Sequence, residues 1–401
     1  DDPAGIAIYA RAGAKFGFSV LWTVLATLPF MVIIQRMCGR IGLISGKGLA
    51  GNMRKHYPGW ILLVITILIS IASIINIGAD ISAMAAALNL LVPIPSIPLA
   101  IGFSLIVVAM IIFLPYREIA RYLKWIAIVM FSYVLAVFII SPDWREVLFH
   151  TLVPHLSMNK EYLAMIIAIF GTTISPYLFF WQASEAVEEE KMHKEAMIPA
   201  AEPRPRVIKA HIKNEISTMY ADVRMGMIFS NLITFFIMIL ASSTLFTHGF
   251  SEVSSIADMA SILEPLAGPY AHILFLIGII ASGILGIPIL AGSAAYAIGE
   301  TIGWKVGLDH KFHKARQFYT VILLATILGI AIPALGLQPV NILYYTGIIF
   351  GFVSPLAILL VIHMANNPKI MGNYTSRWWS NAIAYGLFII MSASVIILLF
   401  Q

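Results

Sequence analysis

Apolar runs of about twenty residues recur along this sequence and limit its fold more than any other feature, because a helix of that length crosses a hydrocarbon layer about 30 Å thick. Hydrophobic residues make up 60% of the 401 residues and charged residues only 11%, whereas a soluble domain has about a quarter charged residues. The sequence therefore predicts an all-α integral membrane protein. The runs lie at residues 18–38, 60–90, 98–115, 123–141, 161–182, 222–246, 269–300, 317–336, 340–364 and 378–400.

Lysine and arginine residues lie almost entirely on one side of these runs. When alternate connections are placed on the same side, that side holds 21 of the 25 basic residues. Basic loops mark the cytoplasmic face of a membrane protein. We therefore predict a multi-pass protein of the cell inner (plasma) membrane with its basic loops in the cytoplasm. The lipid bilayer accounts for this charge pattern, and no nucleic-acid partner is predicted.

The chain opens on DDPAG, followed by an apolar segment, residues 4–15, that is too short to cross a membrane alone. The alternation of loops places Asp1 and Asp2 inside the membrane, so we interpret this segment as the second half of a helix whose first half precedes the sequence. A carboxylate at that depth is energetically costly and indicates a functional site. Pro3 and Gly5 favour a break in the helix at the same place.

A second interruption, GTTISP at residues 171–176, falls in the middle of the run 161–182. Interrupted spans in corresponding positions, here the first and the sixth, are typical of inverted-repeat transporters with a substrate site near the midplane. We expect residues 2–5 and 172–176 to be non-helical and to face each other across a central cavity. Ordinary proline kinks satisfied by neighbouring Ser and Thr are the alternative, but a kink does not explain Asp2.

These residues resemble the NRAMP family of divalent metal transporters, and the resemblance extends essentially end to end. Residues 2–5 stand where the family has Asp-Pro-Gly-Asn, and residues 172–177 stand where it has Ala-X-Ile-Met-Pro-His. The stretch NIGADISAMAAALNLL is similar to the acidic stretch of the family's third helix, with Asp80 on the acidic position.

The resemblance implies a LeuT-like fold of two five-helix inverted repeats plus an eleventh helix, with the first and sixth helices broken. The whole chain, residues 1–401, would form one transmembrane domain. Its first repeat would be residues 1–141, lacking the first half-helix, its second repeat residues 161–364, and its trailing helix residues 378–400.

The resemblance also implies a site for the transported ion. Asp2, Thr172 and Ser175 would be the metal ligands, and Asp80 would lie on a proton path. The substrate-binding residues implied are Asp2, Gly5, Thr172, Ser175, Tyr177 and Gly347.

Two departures from the family pattern bear on the choice of ion. Gly5 replaces the family's asparagine and Ser175 its methionine. A soft thioether favours soft and borderline metals, whereas hydroxyl, carboxylate and carbonyl oxygens suit hard cations such as Mg²⁺ and Mn²⁺. Two smaller residues also widen the expected site. We therefore predict a preference for a hard divalent cation, as in the magnesium-transporting branch of the family.

Other departures affect proton coupling and a further ligand. Tyr177 replaces the histidine after the proline, and Ala83 replaces a glutamate three positions beyond the third-span acid. An unperturbed tyrosine is a poor proton carrier near neutrality. We expect weak or no proton coupling, with Asp80 the remaining acid of the relay. Gly347 stands where the family often has a glutamine, so we expect open space there.

The sequence predicts a secondary transporter that moves a divalent cation by alternating access. It is not predicted to be an enzyme, because nucleophile-elbow, phosphate-loop and dinucleotide motifs are absent. No cofactor and no obligate protein partner is predicted. The main alternative is a LeuT-fold transporter of a small organic solute such as an amine or amino acid, and a weaker one is a transporter-derived sensor that moves nothing.

Overall fold

The computed structural model describes residues 2–113, 127–197, 205–249, 253, 255–308, 310 and 312–400. Asp1 lies outside these residues, as do the end of the predicted span 98–115, the start of the span 123–141 and the basic stretch YREIARYLK. The α-helices of the described residues are α1 Pro3–Phe16, α2 Trp22–Ser45, α3 Leu49–His56, α4 Gly59–Asn89, α5 Ser96–Phe113, α6 Phe131–Ile140, α7 Trp144–Leu152, α8 Lys160–Thr173, α9 Pro176–Met197, α10 Pro205–Thr244, α11 Ile256–Ser261, α12 Glu264–Ala267, α13 Ala271–Ile302, α14 Arg316–Ala334, α15 Pro339–Asn366, α16 Pro368–Met371 and α17 Trp378–Leu399.

Nine stretches within the described residues are long and apolar enough to cross a bilayer, with α8 and α9 counted together as one. The shorter apolar stretch Ile128–Ile140 includes α6. Each predicted span coincides with one of these helices over its described part, so the prediction of an all-α membrane protein is confirmed. The division of the chain into two repeats and a trailing helix stays a prediction.

Helix α1 begins directly after Asp2, whose backbone is extended and whose Oδ1 accepts a hydrogen bond from the Gly5 N–H at 2.8 Å. Pro3 occupies the first helical position, where its missing N–H leaves no hydrogen bond unmade. The expectation that residues 2–5 are non-helical is therefore wrong for Pro3 to Gly5, because an N-capping aspartate and a following proline start a helix. Gly17, with φ of 58°, ends it.

The second break is narrower than predicted. Helix α8 ends at Thr173 and α9 starts at Pro176, so only Ile174 and Ser175 lie between them and the prediction of non-helical residues 172–176 is wrong at both ends. The carbonyl oxygen of Ile174 accepts a hydrogen bond from the Ser354 hydroxyl of α15 at 3.1 Å. A neighbouring helix thus satisfies one backbone group that the break frees, as the membrane interior requires.

The segment MIPAAEPRPRVIKAH, residues 197–211, reads as a flexible loop in the sequence. Residues 198–204 lie outside the described part, but α10 already begins at Pro205. Proline favours the first position of a helix, so the loop prediction is wrong from Pro205 onward.

The predicted site residues lie on α1, on α4, on the pair α8 and α9, and on α15, and these helices pack together. Helix α1 packs against α8, α10 and α15, and α4 packs against α13, α14 and α15. Glycines let α8 and α15 touch at their backbones, because a Cβ on Gly171 would meet the backbone of Gly347 and Gly351. The start of α1, the break between α8 and α9, and the middle of α4 are therefore held close together.

Candidate substrate site between the two helix breaks

Asp2 lies at the centre of this arrangement and is only 8% exposed. One carboxylate oxygen, Oδ1, caps α1. The other, Oδ2, accepts hydrogen bonds from the Asn76 side-chain amide at 2.9 Å and from the Tyr177 hydroxyl at 3.4 Å. The carboxylate also lies at the helix N-terminus, whose partial positive charge stabilises an anion. The structure thus places the predicted acid beside the second break, since Tyr177 belongs to the first turn of α9.

Asp80 of α4 lies next to Asp2 and is fully buried. The same Asn76 amide nitrogen that donates to Asp2 is 3.5 Å from Asp80 Oδ2. The other oxygen, Asp80 Oδ1, is buried without a hydrogen-bond partner among the described residues. No lysine, arginine or histidine of the described residues forms an ion pair with either carboxylate. Two buried carboxylates therefore share one amide group and lack a protein counter-charge.

Asn76 organises the site, although the sequence analysis did not single it out. Its side chain is fully buried one helical turn before Asp80, and its Oδ1 accepts a hydrogen bond from the Thr346 hydroxyl of α15 at 2.8 Å. One side chain thus connects α4 to α1 and to α15. A polar residue four positions before a buried acid on the same helix face was the available signal.

Ser175 is buried in the break, but its hydroxyl turns back toward the end of α8. The Oγ lies 2.8 Å from the carbonyl oxygens of both Gly171 and Thr172, to which it donates. Its oxygen keeps acceptor capacity, whereas the Thr172 carbonyl is already in use as a hydrogen-bond acceptor. These contacts leave the metal-ligand roles of Thr172 and Ser175 as predictions.

Gly5 and Gly347 take different places in the structure. Gly5 supplies the backbone N–H that caps Asp2. Gly347 lies where α1, α8 and α15 meet, because a Cβ there would contact the Ile8 side chain and the backbone of Ala168. The expectation of open space at Gly347 is wrong, since apolar groups of the neighbouring helices fill it.

Two further contacts hold the site together. The Tyr9 hydroxyl of α1 lies 2.9 Å from the Thr173 hydroxyl at the end of α8, which connects these two helices. On the opposite side, a Cβ on Gly286 of α13 would lie 3.0 Å from the Asp2 Cβ and 4.0 Å from Asp80 Oδ2. A glycine at this position lets α13 approach both carboxylates.

The chemistry of the site is that of oxygen ligands. The groups around Asp2 and Asp80 are a tyrosine hydroxyl, an asparagine amide and backbone amides and carbonyls, and the described residues contain no cluster of three or more His, Cys, Asp or Glu. Two adjacent carboxyl groups in a buried, oxygen-lined site match a divalent cation of the hard class.

A buried carboxylate at the start of one helix, facing a break in another, is the arrangement typical of secondary transporters with discontinuous helices. Solved structures agree on the architecture. The manganese transporter of Eremococcus coleocola, in complex with an aromatic bis-isothiourea substituted compound, superimposes with a TM-score of 0.75 at 16% identity, covering 98% of this chain and 82% of that chain. The inward-facing Mhp1, a LeuT-fold protein, gives a TM-score of 0.57 at 14% identity, covering 100% of this chain and 86% of that chain. The predicted LeuT-like fold is confirmed.

The chain belongs to the Nramp family, described as natural resistance-associated macrophage protein-like, which it matches over residues 1–401. A divalent metal cation transporter MntH of Caldanaerobacter subterraneus subsp. tengcongensis is 24% identical over 381 residues, covering 93% of this chain and 83% of the relative. The MntH of Ralstonia nicotianae is 23% identical over 416 residues, covering 100% of this chain and 88% of the relative. Members of this family are transporters rather than enzymes, as the sequence predicted.

Proposed function

We propose that this protein is a secondary transporter that carries a divalent metal cation across the membrane by alternating access around Asp2. The observation that carries the proposal is the pair of buried carboxylates, Asp2 and Asp80, which share the Asn76 amide and face the second helix break. A buried pair of carboxylates is stabilised by a positive counter-charge or by protonation, and a divalent cation can supply that charge. The similar proteins named above, a divalent metal cation transporter and a manganese transporter, support the same function.

The transported ion is proposed to be hard, with Mn²⁺ and Mg²⁺ as the candidates. The oxygen atoms around Asp2 suit such ions, and Ser175 offers a hydroxyl where the family has a thioether. The name of the structurally similar manganese transporter favours Mn²⁺. The organic-solute alternative gains no support from these comparisons.

Proton coupling is proposed to be weak or absent. Tyr177 contacts Asp2 at the position of the family's histidine. Beyond Asp80, α4 continues with Ala83, Met84 and Ala87, which are buried and apolar. A proton on Asp80 therefore has no onward carrier along this helix.

We also propose that the protein lies in the plasma membrane with its basic loops in the cytoplasm.

Uptake into liposomes tests this function. Purified protein is expected to take up Mn²⁺ or Mg²⁺ faster than protein-free liposomes do, while a pH-sensitive dye in the lumen shows no acidification. Each ion of a panel of Mg²⁺, Mn²⁺, Ca²⁺ and Cd²⁺ is supplied alone. Failure to transport any of the four contradicts the proposal. A metal-driven proton influx that disappears in Asp80→Asn would show that Asp80 alone suffices for coupling.

The double substitution Ser175→Met with Gly5→Asn is expected to shift selectivity toward Cd²⁺ relative to Mg²⁺. It restores the two side chains of the family pattern, and a thioether binds a soft cation better than a hydroxyl does. A shift of about tenfold or more in the ratio of the two affinities is the expected size, which corresponds to about 1.4 kcal/mol. Because the ratio is measured within one protein preparation, a partial loss of folded protein does not mimic it. An unchanged ratio means that these positions do not touch the ion.

A further inference from the structure

A basic cavity lies far from the carboxylate site, at the membrane face that carries the basic loops. It is about 620 Å³ in volume and opens between α10 and α17, with the last turns of α2 as its floor. Four of its lining residues are cationic and none is acidic. The cationic residues are Arg36, Arg40, Lys213 and Arg377.

The two arginines of α2 have few partners for their donors. Arg36 donates to the backbone carbonyl of Tyr220 at 3.0 Å and stacks over that ring, and Arg40 donates to the Ser376 hydroxyl and, at 3.4 Å, to the Tyr220 hydroxyl. Both Nε atoms are buried without a hydrogen-bond partner among the described residues. A guanidinium group has five donors and suits phosphate geometry. The cavity therefore presents positive charge to an anion, with no acidic side chain among its lining residues.

Two exposed apolar residues of α2, Leu25 and Pro29, form a short apolar strip beyond the cavity. Arg36 and Arg40 lie on one stripe of α2 with Leu25 and Pro29, at helical spacings of four, seven and four residues. Leu25 is 51% exposed and Pro29 is also exposed. Ile33, between them and the arginines, lines the cavity. A charged pocket with a short exposed apolar strip farther along the same helix face matches a ligand with an anionic head and an apolar tail.

Aromatic residues mark the depth of the cavity. Tyr374 and Trp379 line it at the start of α17, and Trp and Tyr concentrate where the headgroups of a bilayer begin. Helix α17 itself is largely exposed, with Ile389 and Ile390 turned outward. The cavity therefore opens at headgroup level, beside a helix face that contacts lipid.

We propose that this cavity binds the phosphate headgroup of an anionic phospholipid, whose acyl chains lie along the exposed strip of α2 between α10 and α17. Phosphate is the shared chemistry of a lipid headgroup and a free anion, but the apolar strip assigns the site to the lipid. Basic pockets between membrane helices take anionic headgroups by this combination of contacts. The inference is independent of which ion the protein transports.

Lipid retention tests this site. Protein purified in dodecyl maltoside is titrated with dioleoyl phosphatidylglycerol or dioleoyl phosphatidylcholine, and bound lipid is counted by native mass spectrometry. Wild type is expected to bind more phosphatidylglycerol than phosphatidylcholine. Arg36→Gln with Arg40→Gln should bind it about thirtyfold more weakly, because each basic residue near a headgroup contributes on the order of one kcal/mol. Lys305→Gln removes the same kind of charge from an exposed loop position outside the cavity and should bind as wild type does.

Further variants and a competition experiment distinguish binding of the lipid from binding of a free anion or a loss of folding. Arg36→Lys with Arg40→Lys keeps the charge and should retain most of the binding. If the glutamine pair does not fold, Lys213→Gln with Arg377→Gln tests the same cavity from its other walls. Equal retention of the two lipids overturns the proposal. So does displacement of phosphatidylglycerol by millimolar inorganic phosphate, which would mark a site for free anions.

Discussion

Asp2→Asn is expected to lower the affinity for the divalent cation by about two orders of magnitude and to reduce transport to near the level of empty liposomes. At an effective dielectric constant near 20, a unit charge in contact with a cation contributes about 4 kcal/mol per unit of the cation's charge. The remaining carboxylate, Asp80, keeps part of the attraction, so the expected loss is large but not complete. Asparagine caps a helix about as well as aspartate does, so α1 should still begin at residue 3.

The measurement is the rise in thermal midpoint that Mn²⁺ or Mg²⁺ produces, since a ligand that binds only the folded state stabilises it according to its dissociation constant. Asp222→Asn is the matched control, because Asp222 is exposed on α10 and makes the same change of charge outside the site. If the metal raises the thermal midpoint of Asp2→Asn as much as that of wild type, Asp2 does not belong to the substrate site. Loss of response in both variants would instead reflect a general effect of charge.

The fold was largely predictable because the membrane restricts the choices. Long apolar runs must be helices, and the lopsided distribution of basic residues fixes their alternation. The position of the site followed from the same reasoning, since an aspartate inside the membrane and a glycine- and proline-containing interruption both stood out against apolar surroundings. The Tyr177 hydroxyl lies 3.4 Å from the Asp2 carboxylate, and Ser175 stands in the break just before α9, but the roles of these residues in binding stay predictions.

The extent of each break was not predictable from residue types alone. Proline and glycine mark where a helix is interrupted, but whether they stand before or inside it depends on capping. At Asp2 the side chain caps the next turn, so Pro3 starts a helix rather than ending one. At the second break the Ser175 hydroxyl bonds back to α8 and shortens the gap to two residues.

Contacts between distant helices were the main omission. Asn76 of α4 and Gly286 of α13 approach the carboxylates, and Thr346 of α15 donates a hydrogen bond to Asn76. The spacing of Asn76 and Asp80 on α4 places them on one helix face, but a single sequence does not show which residues of other helices meet them, because those contacts are set by packing. At Gly347 the prediction went wrong in a different way. The missing side chain was interpreted as open space, but Ile8 and Ala168 of the neighbouring helices pack directly against this glycine.

Asn76→Ala is expected to destabilise the metal-free protein by about 3 kcal/mol or more. The substitution removes the amide that both buried carboxylates share and also leaves the Thr346 hydroxyl without its acceptor on α4. Removing the hydrogen-bond donor of a buried charged group lowers the free energy of unfolding more than removing that of a neutral group does, commonly by more than about 3 kcal/mol. A bound cation replaces the lost donors, so saturating Mn²⁺ should recover more stability in this variant than it adds to wild type.

Asn231→Ala is the control that separates a role in the site from a role in folding. Asn231 is 4% exposed, and its amide donates to the Val24 carbonyl oxygen at 2.8 Å, away from the carboxylates. Its loss should lower the thermal midpoint while leaving the rise produced by Mn²⁺ as in wild type. An equal Mn²⁺ response in the two variants would mean that Asn76 serves folding alone. A larger rise in thermal midpoint confined to Asn76→Ala would show that the Asn76 amide competes with the cation for Asp2 and Asp80. Binding of the ion would then require the amide to release its hydrogen bonds to the two carboxylates.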